Sequence, residues 1–274
     1  MAERPTPESM TRELIRKASM REPSKLPLDD YFECTNSTLT LFQKPKKSEM
    51  HFILLPRIGK SHTSQYRTVE NLRDIYTWLN APGVPEEEKY KLIDDMVEGA
   101  NIVINIMEEE MKKTYGYRWG IHIGFGAAPS IHFLHVHILS DDYAFIKSKE
   151  QWNKFDPEHE YFVRLDAVLT WFWSKSIASS SANIRNRNLI YRTPPYDCHH
   201  KHCDYVPGSF AELKRHLVAY FKKEQDDGKR TLENRARRER EREAKEKAKA
   251  AKEAADAAAA AASDGGASSS KIQD

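Results

Sequence analysis

The stretch Leu134-His135-Val136-His137-Ile138-Leu139 decides how the fold of this chain is interpreted. Histidine stands at every second position of an apolar run, and side chains along a β-strand alternate between the two faces of a sheet. His135 and His137 must therefore point the same way, while the aliphatic residues between them supply core contacts on the opposite face. The stretch predicts a strand that carries two imidazoles on one surface.

Two adjacent imidazoles suit nucleotidyl transfer. A neutral imidazole can attack phosphorus directly, and a neighbouring imidazolium can bind the phosphate oxygens. Two other interpretations stay open. In the first, the histidines are partly buried side chains whose nitrogens form hydrogen bonds with neighbouring residues. In the second, they are ligands of a zinc ion, although no further Asp, Glu or His stands at an obvious spacing to complete the site.

The surrounding sequence predicts an α+β domain. Two β-rich runs on either side of a Lys-Pro-Lys-Lys turn form a hairpin, and apolar residues at three- and four-residue intervals indicate amphipathic helices. We expect strands at residues 37–42, 51–55, 117–125, 133–139 and 161–166, and helices at residues 10–20, 68–80, 86–113, 167–173 and 208–223.

Composition indicates a near-neutral body followed by a basic tail. Charged residues make up 31% of the 274 residues and hydrophobic residues 39%, so the chain is more polar than an average globular protein. The polar excess is local, because residues 229–252 hold 11 Lys or Arg against 5 Glu, whereas residues 1–228 hold 31 against 32 Asp or Glu. The tail predicts a charged helix or a disordered segment, with nuclear import or non-specific DNA affinity as its candidate roles.

Targeting signals and cysteines define the expected compartment. The sequence lacks an apolar run of about 18 residues and a secretory signal, so we expect a soluble intracellular protein without a membrane partner. Three cysteines are too few for a disulfide framework. Cys198 and Cys203 stand five positions apart among histidines, which indicates a metal site in a reducing compartment.

The order of these motifs resembles the histidine-triad core of the aprataxin family. The similar segments are residues 129–143 and 147–155, together with the turn Pro45-Lys46-Lys47 and the strand that begins at His51. The resemblance covers roughly residues 30–223, including the Cys/His module. It implies an α+β histidine-triad fold with an antiparallel sheet and flanking helices, a small C2H2-like zinc finger, and a disordered or helical charged tail.

The resemblance also implies an activity and a set of roles. The protein is expected to hydrolyse the phosphoanhydride of DNA 5′-adenylates at strand breaks, independently of sequence, with AMP as product. His135 would form a covalent AMP-histidine intermediate, and His137 would bind the phosphate. The other residues expected to contact phosphates are Ser130, His132 and either Lys46 or Lys47.

Two positions depart from the family pattern, since Phe133 and Gly126 stand where the family has histidines. The departing 5′-phosphate is already a good leaving group, so the loss of one imidazole is expected to slow the reaction without abolishing it. His132 or His122 is a geometric substitute. Two other functions stay open: a histidine-triad hydrolase of small adenylated compounds, and a nucleic-acid-end-binding protein with a decayed active site.

The Cys/His module predicts a structural zinc ion rather than a reduced thiol pair. Cys198, Cys203 and His216 match the first three ligands of a C2H2 finger. Glu224 lies about 12 Å beyond His216 along a helix, so it is a ligand only if the helix ends first. The local alternatives for the fourth ligand are His199, His200 and, least favoured because of crowding, His202.

Basic residues around this module favour contacts to the DNA backbone over base reading, notably Lys214, Arg215 and Arg187. The N-terminal helix either stacks on an exposed base pair at a break, as the resemblance implies, or is a frayed surface helix. We expect a nuclear location. The expected division is an N-terminal segment 1–29, a histidine-triad domain 30–174, a linker 175–192, a zinc module 193–225 and a tail 226–274.

Overall fold

The computed structural model describes residues 6–58, 64–156, 161–177, 198, 200 and 203–264, with side chains to residue 257. Contacts divide the chain into one compact unit of residues 1–114 and 118–223 and a second of residues 115–117 and 224–274. The helices are α1 Pro7–Ser19, α2 Ile75–Leu79, α3 Glu86–Tyr115, α4 Lys149–Phe155, α5 Leu165–Trp173 and α6 Phe210–Asp264, with a 3-10 turn at Pro23–Lys25. The strands are β1 Tyr31–Cys34, β2 Thr38–Phe42, β3 His51–Pro56, β4 Ile121–Gly126, β5 Val136–Ser140 and β6 Phe162–Arg164.

The six strands form one sheet in the order β1-β2-β3-β5-β4-β6, and every neighbouring pair is antiparallel. The predicted hairpin is the β2–β3 pair. His137 lies in β5, between β3 and β4 in the sheet, and His135 immediately precedes that strand, which starts later than predicted. The α+β class and the antiparallel sheet predicted from the sequence are therefore confirmed.

Helix α3 covers the sheet face opposite the histidines. Leu54 pairs with Val136 in the β3–β5 register, and both side chains are fully buried. The helix approaches closely at Gly99, where an added Cβ would lie 2.5 Å from Oγ1 of Thr38 and 3.2 Å from Cδ1 of Leu54. Only a glycine permits this spacing, so α3 packs directly on β2 and β3.

The histidine face is covered by the segment that follows β5 and by the first turns of α6. Trp152 of α4 is 1% exposed and packs edge-to-face on Tyr143, with ring centroids 5.2 Å apart. The buried cluster joins residues of the sheet to the helix of the Cys/His module: Leu139, Tyr143, Ile146, Trp152, Phe155, Phe162, Leu213 and Leu217.

Helix α1 is docked rather than frayed along its length. Thr6 caps it by accepting a hydrogen bond from the amide of Ser9 at 3.2 Å. Leu14 and Ala18 are buried, and Nζ of Lys17 lies 2.9 Å from the carboxylate of Asp30. Its other face is exposed.

Several element boundaries differ from the sequence prediction for local reasons. Strand β1 was not predicted, because it is a short edge strand whose register shifts between Tyr31 and Glu33, so it shows no alternation. Helix α4 was likewise not predicted. Helix α2 is shorter than predicted because the side chain of Asp74 accepts from the amide of Thr77 at 2.7 Å and so starts the helix there.

The second unit consists mainly of the exposed part of α6. Ion pairs four residues apart line it, such as Lys249–Glu253 at 3.7 Å, each of the exposed kind that adds only a few tenths of a kcal/mol. An added Cβ at Gly228 would lie 2.5 Å from Cβ of Tyr117, so glycine permits this helix to pack on residues 115–117. The tail is thus helical as far as Asp264. In the described part of the chain, none of the helices has the length and apolar character needed to cross a membrane.

Candidate active site and candidate metal centre

Three histidines meet on one face of the sheet. Ile53 pairs with His137 in the β3–β5 register, which places His51 diagonally across from His137 on the same face. Nε2 of His51 lies 3.1 Å from Nδ1 of His137. The rings of His135 and His137 have centroids 4.8 Å apart at an angle of 84°. The two predicted histidines therefore lie together, and His51 joins them.

Hydrogen bonds determine which nitrogen of His51 and His137 carries the proton. The amide of Lys47 donates to Nδ1 of His51 at 3.1 Å, so neutral His51 carries its proton on Nε2. That nitrogen then donates to Nδ1 of His137. Neutral His137 consequently carries its own proton on Nε2, where it can donate to a bound anion.

His135 has the opposite tautomer. Its Nδ1 lies 2.6 Å from the carbonyl oxygen of Phe133, which can only accept, so Nδ1 carries the proton. Nε2 of His135 keeps a free lone pair. The site thus combines one imidazole with a nucleophilic nitrogen and one with an N–H donor.

Burial lowers the pKa of all three imidazoles. The pKa of His51 falls to about 3, with the charge of Lys47 and the neighbouring His135 adding to the desolvation. The pKa of His137 is held well below its usual value by burial, and secondarily by His135, His51 and Lys47. The pKa of His135 is lowered by burial, which outweighs its hydrogen bond to the Phe133 carbonyl. His137 is therefore neutral at pH 7, in contrast to the imidazolium expected from the sequence.

The turn between β2 and β3 is fastened to the end of β5. Ser140 donates from Oγ to the Asp142 carboxylate, and the amide of Met50 donates to Oγ of Ser140 at 3.0 Å. The other carboxylate oxygen of Asp142 accepts from the amides of Glu49 at 2.9 Å and Ala144 at 3.1 Å. These contacts fix the position of the turn that carries Lys46 and Lys47 relative to the end of β5.

The two lysines of this turn have different surroundings. Nζ of Lys46 lies 3.4 Å from the carboxylate of Glu49 and 4.4 Å above the ring of Phe145. Within the described part of the chain, Lys47 has no carboxylate partner, and its charge lowers the pKa of both His51 and His137. Lys47 is therefore the lysine that faces the histidine cluster.

Two more lysines add positive charge near Lys47. Burial lowers the pKa of Lys47, and the charges of Lys147 and Lys154 lower it further. Lys154 is paired with Glu150 at 3.6 Å, whereas the charges of Lys47 and Lys147 repel unless an anion neutralises them. This part of the site is consequently suited to phosphate.

Ser130 and His132 lie in the exposed turn that precedes β5. Among the described residues, neither makes a hydrogen bond to another side chain. His122, the second proposed substitute for a missing histidine, is instead stacked on Tyr143, with ring centroids 5.8 Å apart. Burial lowers its pKa to about 4, with Arg164 and His200 contributing.

A narrow crevice beside His135 contains Asp74 and Gly126. An added Cβ at Gly126 would lie 3.8 Å from the nearest atoms of Pro129, which is ordinary contact. A Cβ at position 126 would therefore fit without strain. No pattern in the sequence indicated Asp74, because it is brought to the site by a loop distant in the chain.

The Cys/His module brings three metal-binding groups together. One ligand atom each from Cys198, Cys203 and His216 lie within 4.8 Å of one another. Nε2 of His216 lies 3.2 Å from both sulfur atoms. Two thiols and an imidazole form a donor set that suits Zn²⁺, so the residues present fit a structural zinc ion.

Glu224 does not join this group. Helix α6 continues without a break from Phe210 to Asp264, so the condition for Glu224 to reach the metal, an earlier helix end, is not met. Lys214 is half-buried and Arg215 exposed on α6 beside His216. Arg187, His199 and His202 lie outside the described residues.

Comparisons with known proteins agree with this geometry. No protein-family model matches the chain. Aprataxin of Gallus gallus is 24% identical over 209 residues, covering 76% of this chain and 54% of that protein. The aprataxin-like protein of Drosophila melanogaster is 28% identical over 121 residues, covering 43% of this chain and 17% of that protein. A HIT domain-containing protein of Dictyostelium discoideum is 24% identical over 144 residues, or 52% of this chain and 32% of that protein.

The chain thus spans from 17% to 54% of the length of these relatives. Among solved structures, the aprataxin ortholog Hnt3 in complex with DNA superposes with a TM-score of 0.56 at 17% identity, covering 80% of this chain and 98% of that chain. This chain has the aprataxin fold. Hnt3 in complex with DNA and guanosine is also similar, with a TM-score of 0.52 at 18% identity, covering 80% of this chain and all of that chain.

Within the aprataxin fold, the departure at Phe133 is compatible with an ordered His135 imidazole. The Phe133 side chain is fully buried, and its carbonyl oxygen accepts the proton of His135 Nδ1. Orientation of His135 therefore depends on the backbone at position 133. The missing imidazole leaves this orientation intact.

Proposed function

We propose that this protein is a DNA 5′-adenylate hydrolase that removes AMP from abortive ligation intermediates at strand breaks. The observation that carries the proposal is the pairing of opposite tautomers, with a free Nε2 lone pair on His135 beside an Nε2–H on His137. The aprataxin fold and the DNA bound in the similar Hnt3 structures support DNA as the substrate.

In the first step, Nε2 of His135 attacks the phosphorus of the AMP group. The bond from phosphorus to the bridging oxygen breaks, and its electron pair leaves with the DNA 5′-phosphate. His135 becomes positively charged, and the Phe133 carbonyl that holds its Nδ1–H stabilises that charge. Because the leaving phosphate is weakly basic, this step proceeds without a general acid in the positions held by Phe133 and Gly126.

In the second step, water attacks the phosphorus of the AMP-histidine. The phosphorus–nitrogen bond breaks, its electron pair returns to Nε2 of His135, and the water proton passes to solvent as AMP leaves. His137 donates its Nε2–H to a phosphate oxygen in both steps, and Lys47 supplies positive charge beside it. Donors of this kind typically each contribute about 10²–10³ in rate.

The remaining predicted residues have supporting roles in this proposal. Ser130 and His132 contact phosphate from the turn before β5, and Lys214, Arg215 and Arg187 contact the DNA backbone independently of sequence. Cys198, Cys203 and His216 would hold a structural Zn²⁺ that links the two cysteines to helix α6. A substrate of this kind agrees with a nuclear location.

The test uses a nicked duplex that carries a radiolabelled 5′-AMP cap. We expect wild-type protein to release AMP and His135→Ala to release none, whereas His132→Ala, which loses one phosphate contact, should slow the release without abolishing it. Acid quenching should trap the label on wild-type protein and not on His135→Ala. Full turnover by His135→Ala would contradict the proposed nucleophile.

The replaced histidines favour one second candidate, an end-binding protein without turnover. It predicts that wild type binds the nicked duplex in a salt-sensitive way and releases no AMP. Release of AMP from adenosine phosphoramidate, unaffected by added DNA, would instead indicate a hydrolase of small adenylated compounds.

A further inference from the structure

We propose that His200 is the fourth ligand of the metal site, an inference that rests on the metal site proposed above for Cys198, Cys203 and His216. Structural zinc sites are four-coordinate and tetrahedral, so three protein ligands leave one position to fill. Helix α6 offers no carboxylate or imidazole one turn after His216, because that position holds Tyr220.

The position of His200 matches that of a ligand on one edge of a tetrahedron. With zinc bonds of about 2.3 Å to sulfur and about 2.0 Å to nitrogen, a thiolate and an imidazole nitrogen lie about 3.5 Å apart. Nδ1 of His200 lies 3.2 Å from Sγ of Cys198. This distance equals the separations of His216 Nε2 from Cys198 and Cys203.

A backbone hydrogen bond links His200 to Cys203. The amide of Cys203 donates to the carbonyl of His200 at 3.2 Å, which closes a turn between the two cysteines. His200 therefore belongs to the loop that carries both thiols. Because His200 stays outside the group whose ligand atoms all lie within 4.8 Å of one another, a rotation of its side chain toward Cys203 and His216 is expected when metal binds.

Tyr220 supports the imidazole of His200 instead of binding metal. Its ring stacks on the ring of His200, with centroids 4.0 Å apart and an angle of 24° between planes. Tyr205 stacks in the same way on His216, at 4.4 Å and 16°. Each imidazole thus lies against one aromatic ring, an arrangement that limits the ring orientations of two nitrogen ligands alike.

The experiment replaces His200 by another ligand and measures cobalt spectra of the full chain. Co²⁺ reports tetrahedral geometry through its visible bands, and its thiolate charge-transfer band grows with the number of bound sulfurs. We expect His200→Cys to bind one Co²⁺ with charge-transfer intensity about 1.5 times that of wild type, as two thiolates become three. His202→Cys and His199→Cys are matched controls expected to keep the wild-type intensity.

A second measurement is zinc affinity by competition with a chelator. We expect His200→Ala to weaken Zn²⁺ binding by more than about 100-fold, since loss of an outer-shell partner alone costs 10–100-fold. Glu224→Gln should leave the affinity unchanged. Unchanged intensity in His200→Cys, or the same gain in His202→Cys or His199→Cys, would overturn the assignment of His200 alone. Failure of wild type to bind either metal would overturn the metal site as a whole.

Discussion

Nε2 of His51 lies 3.1 Å from Nδ1 of His137, and this contact joins the first residue of β3 to the second residue of β5. Because the Lys47 amide already occupies the other nitrogen of His51, the direction of both hydrogen bonds is determined. The protonated nitrogen of His137 is therefore set by His51 on the neighbouring strand.

Replacing His51 should impair the positioning of His137. In His51→Ala the buried Nδ1 of His137 loses its donor, and we expect AMP release to slow by about 10–100-fold, as for other partners that orient a functional imidazole. His51→Gln keeps an N–H donor and should recover part of the rate. Nitrogen NMR of the His137 ring should show mixed tautomers in His51→Ala only. A single, unchanged His137 tautomer in His51→Ala would show that His51 does not set the protonation of His137.

The two lysines of the β2–β3 turn should differ in their effect on catalysis. Lys47→Ala removes the cation beside the histidines, so we expect kcat to fall by about 10²–10³. Lys46→Ala removes a charge that is already paired with Glu49, and should change kcat less than about threefold. Single-turnover AMP release measures both variants, and a larger loss in Lys46→Ala would reverse the assignment.

Acid should destabilise the fold through its buried histidines. The folded-state pKa of His51 is about 3 and lies below that of the unfolded chain, so protons bind preferentially to the unfolded state. The contribution is complete above about pH 6.5 and is lost as the pH falls toward 3. Between pH 7.5 and 5 it amounts to about 2 kcal/mol for His51 alone.

Urea unfolding at these two pH values measures the loss. His51→Gln should be less sensitive to pH than wild type by about 2 kcal/mol over the same interval. The exposed His132→Ala is the control and should keep the wild-type dependence. Equal pH dependence of His51→Gln and wild type would show that His51 titrates normally in the folded protein.

A histidine introduced at position 126 should accelerate the reaction. Because an added Cβ makes only ordinary contacts at this half-buried position, Gly126→His is expected to fold. An imidazole in this crevice beside His135 would serve as a proton donor, and donors of this kind contribute about 10²–10⁴ in rate where protonation limits it. Since the leaving phosphate is weakly basic, we expect an increase of about tenfold in AMP release.

Two glycine variants control for this result. Gly126→Ala adds the Cβ without the imidazole and should keep the wild-type rate. Gly124→His, in the same strand, should fail to fold, because its Cβ would lie 2.6 Å from the ring of Phe162 and 2.7 Å from the carbonyl of Val163. If Gly126→His is no faster than Gly126→Ala, protonation does not limit the reaction.

The helix that carries His216 should provide part of the electrostatic affinity for DNA. Arg215 is exposed and Lys214 half-buried, and within the described part of the chain neither pairs with a carboxylate. The double variant Lys214→Ala/Arg215→Ala should reduce the slope of log K against log salt by about 2, since each phosphate contact contributes about 0.9. Arg237→Ala/Arg238→Ala tests whether the tail contributes instead.

Much of the fold followed from local patterns. Alternating histidines placed His135 and His137 on one face because strand geometry requires it, and helical spacing indicated α3 almost to its ends. The Cys198, Cys203 and His216 spacing likewise identified a group that the fold brings together. Patterns of this kind depend only on the repeat of one element, so neighbouring residues are sufficient to specify them.

Other features depended on contacts between distant segments. The partnership of His51 with His137 requires the β3–β5 register, and the distinction between Lys46 and Lys47 requires a turn held by Asp142. The sequence by itself therefore determined the face of the histidines and the donors of the metal site. Only the tertiary structure decided the protonation of the histidines and excluded Glu224 as a metal ligand. The reason is that hydrogen-bond direction and helix length are set by packing between elements.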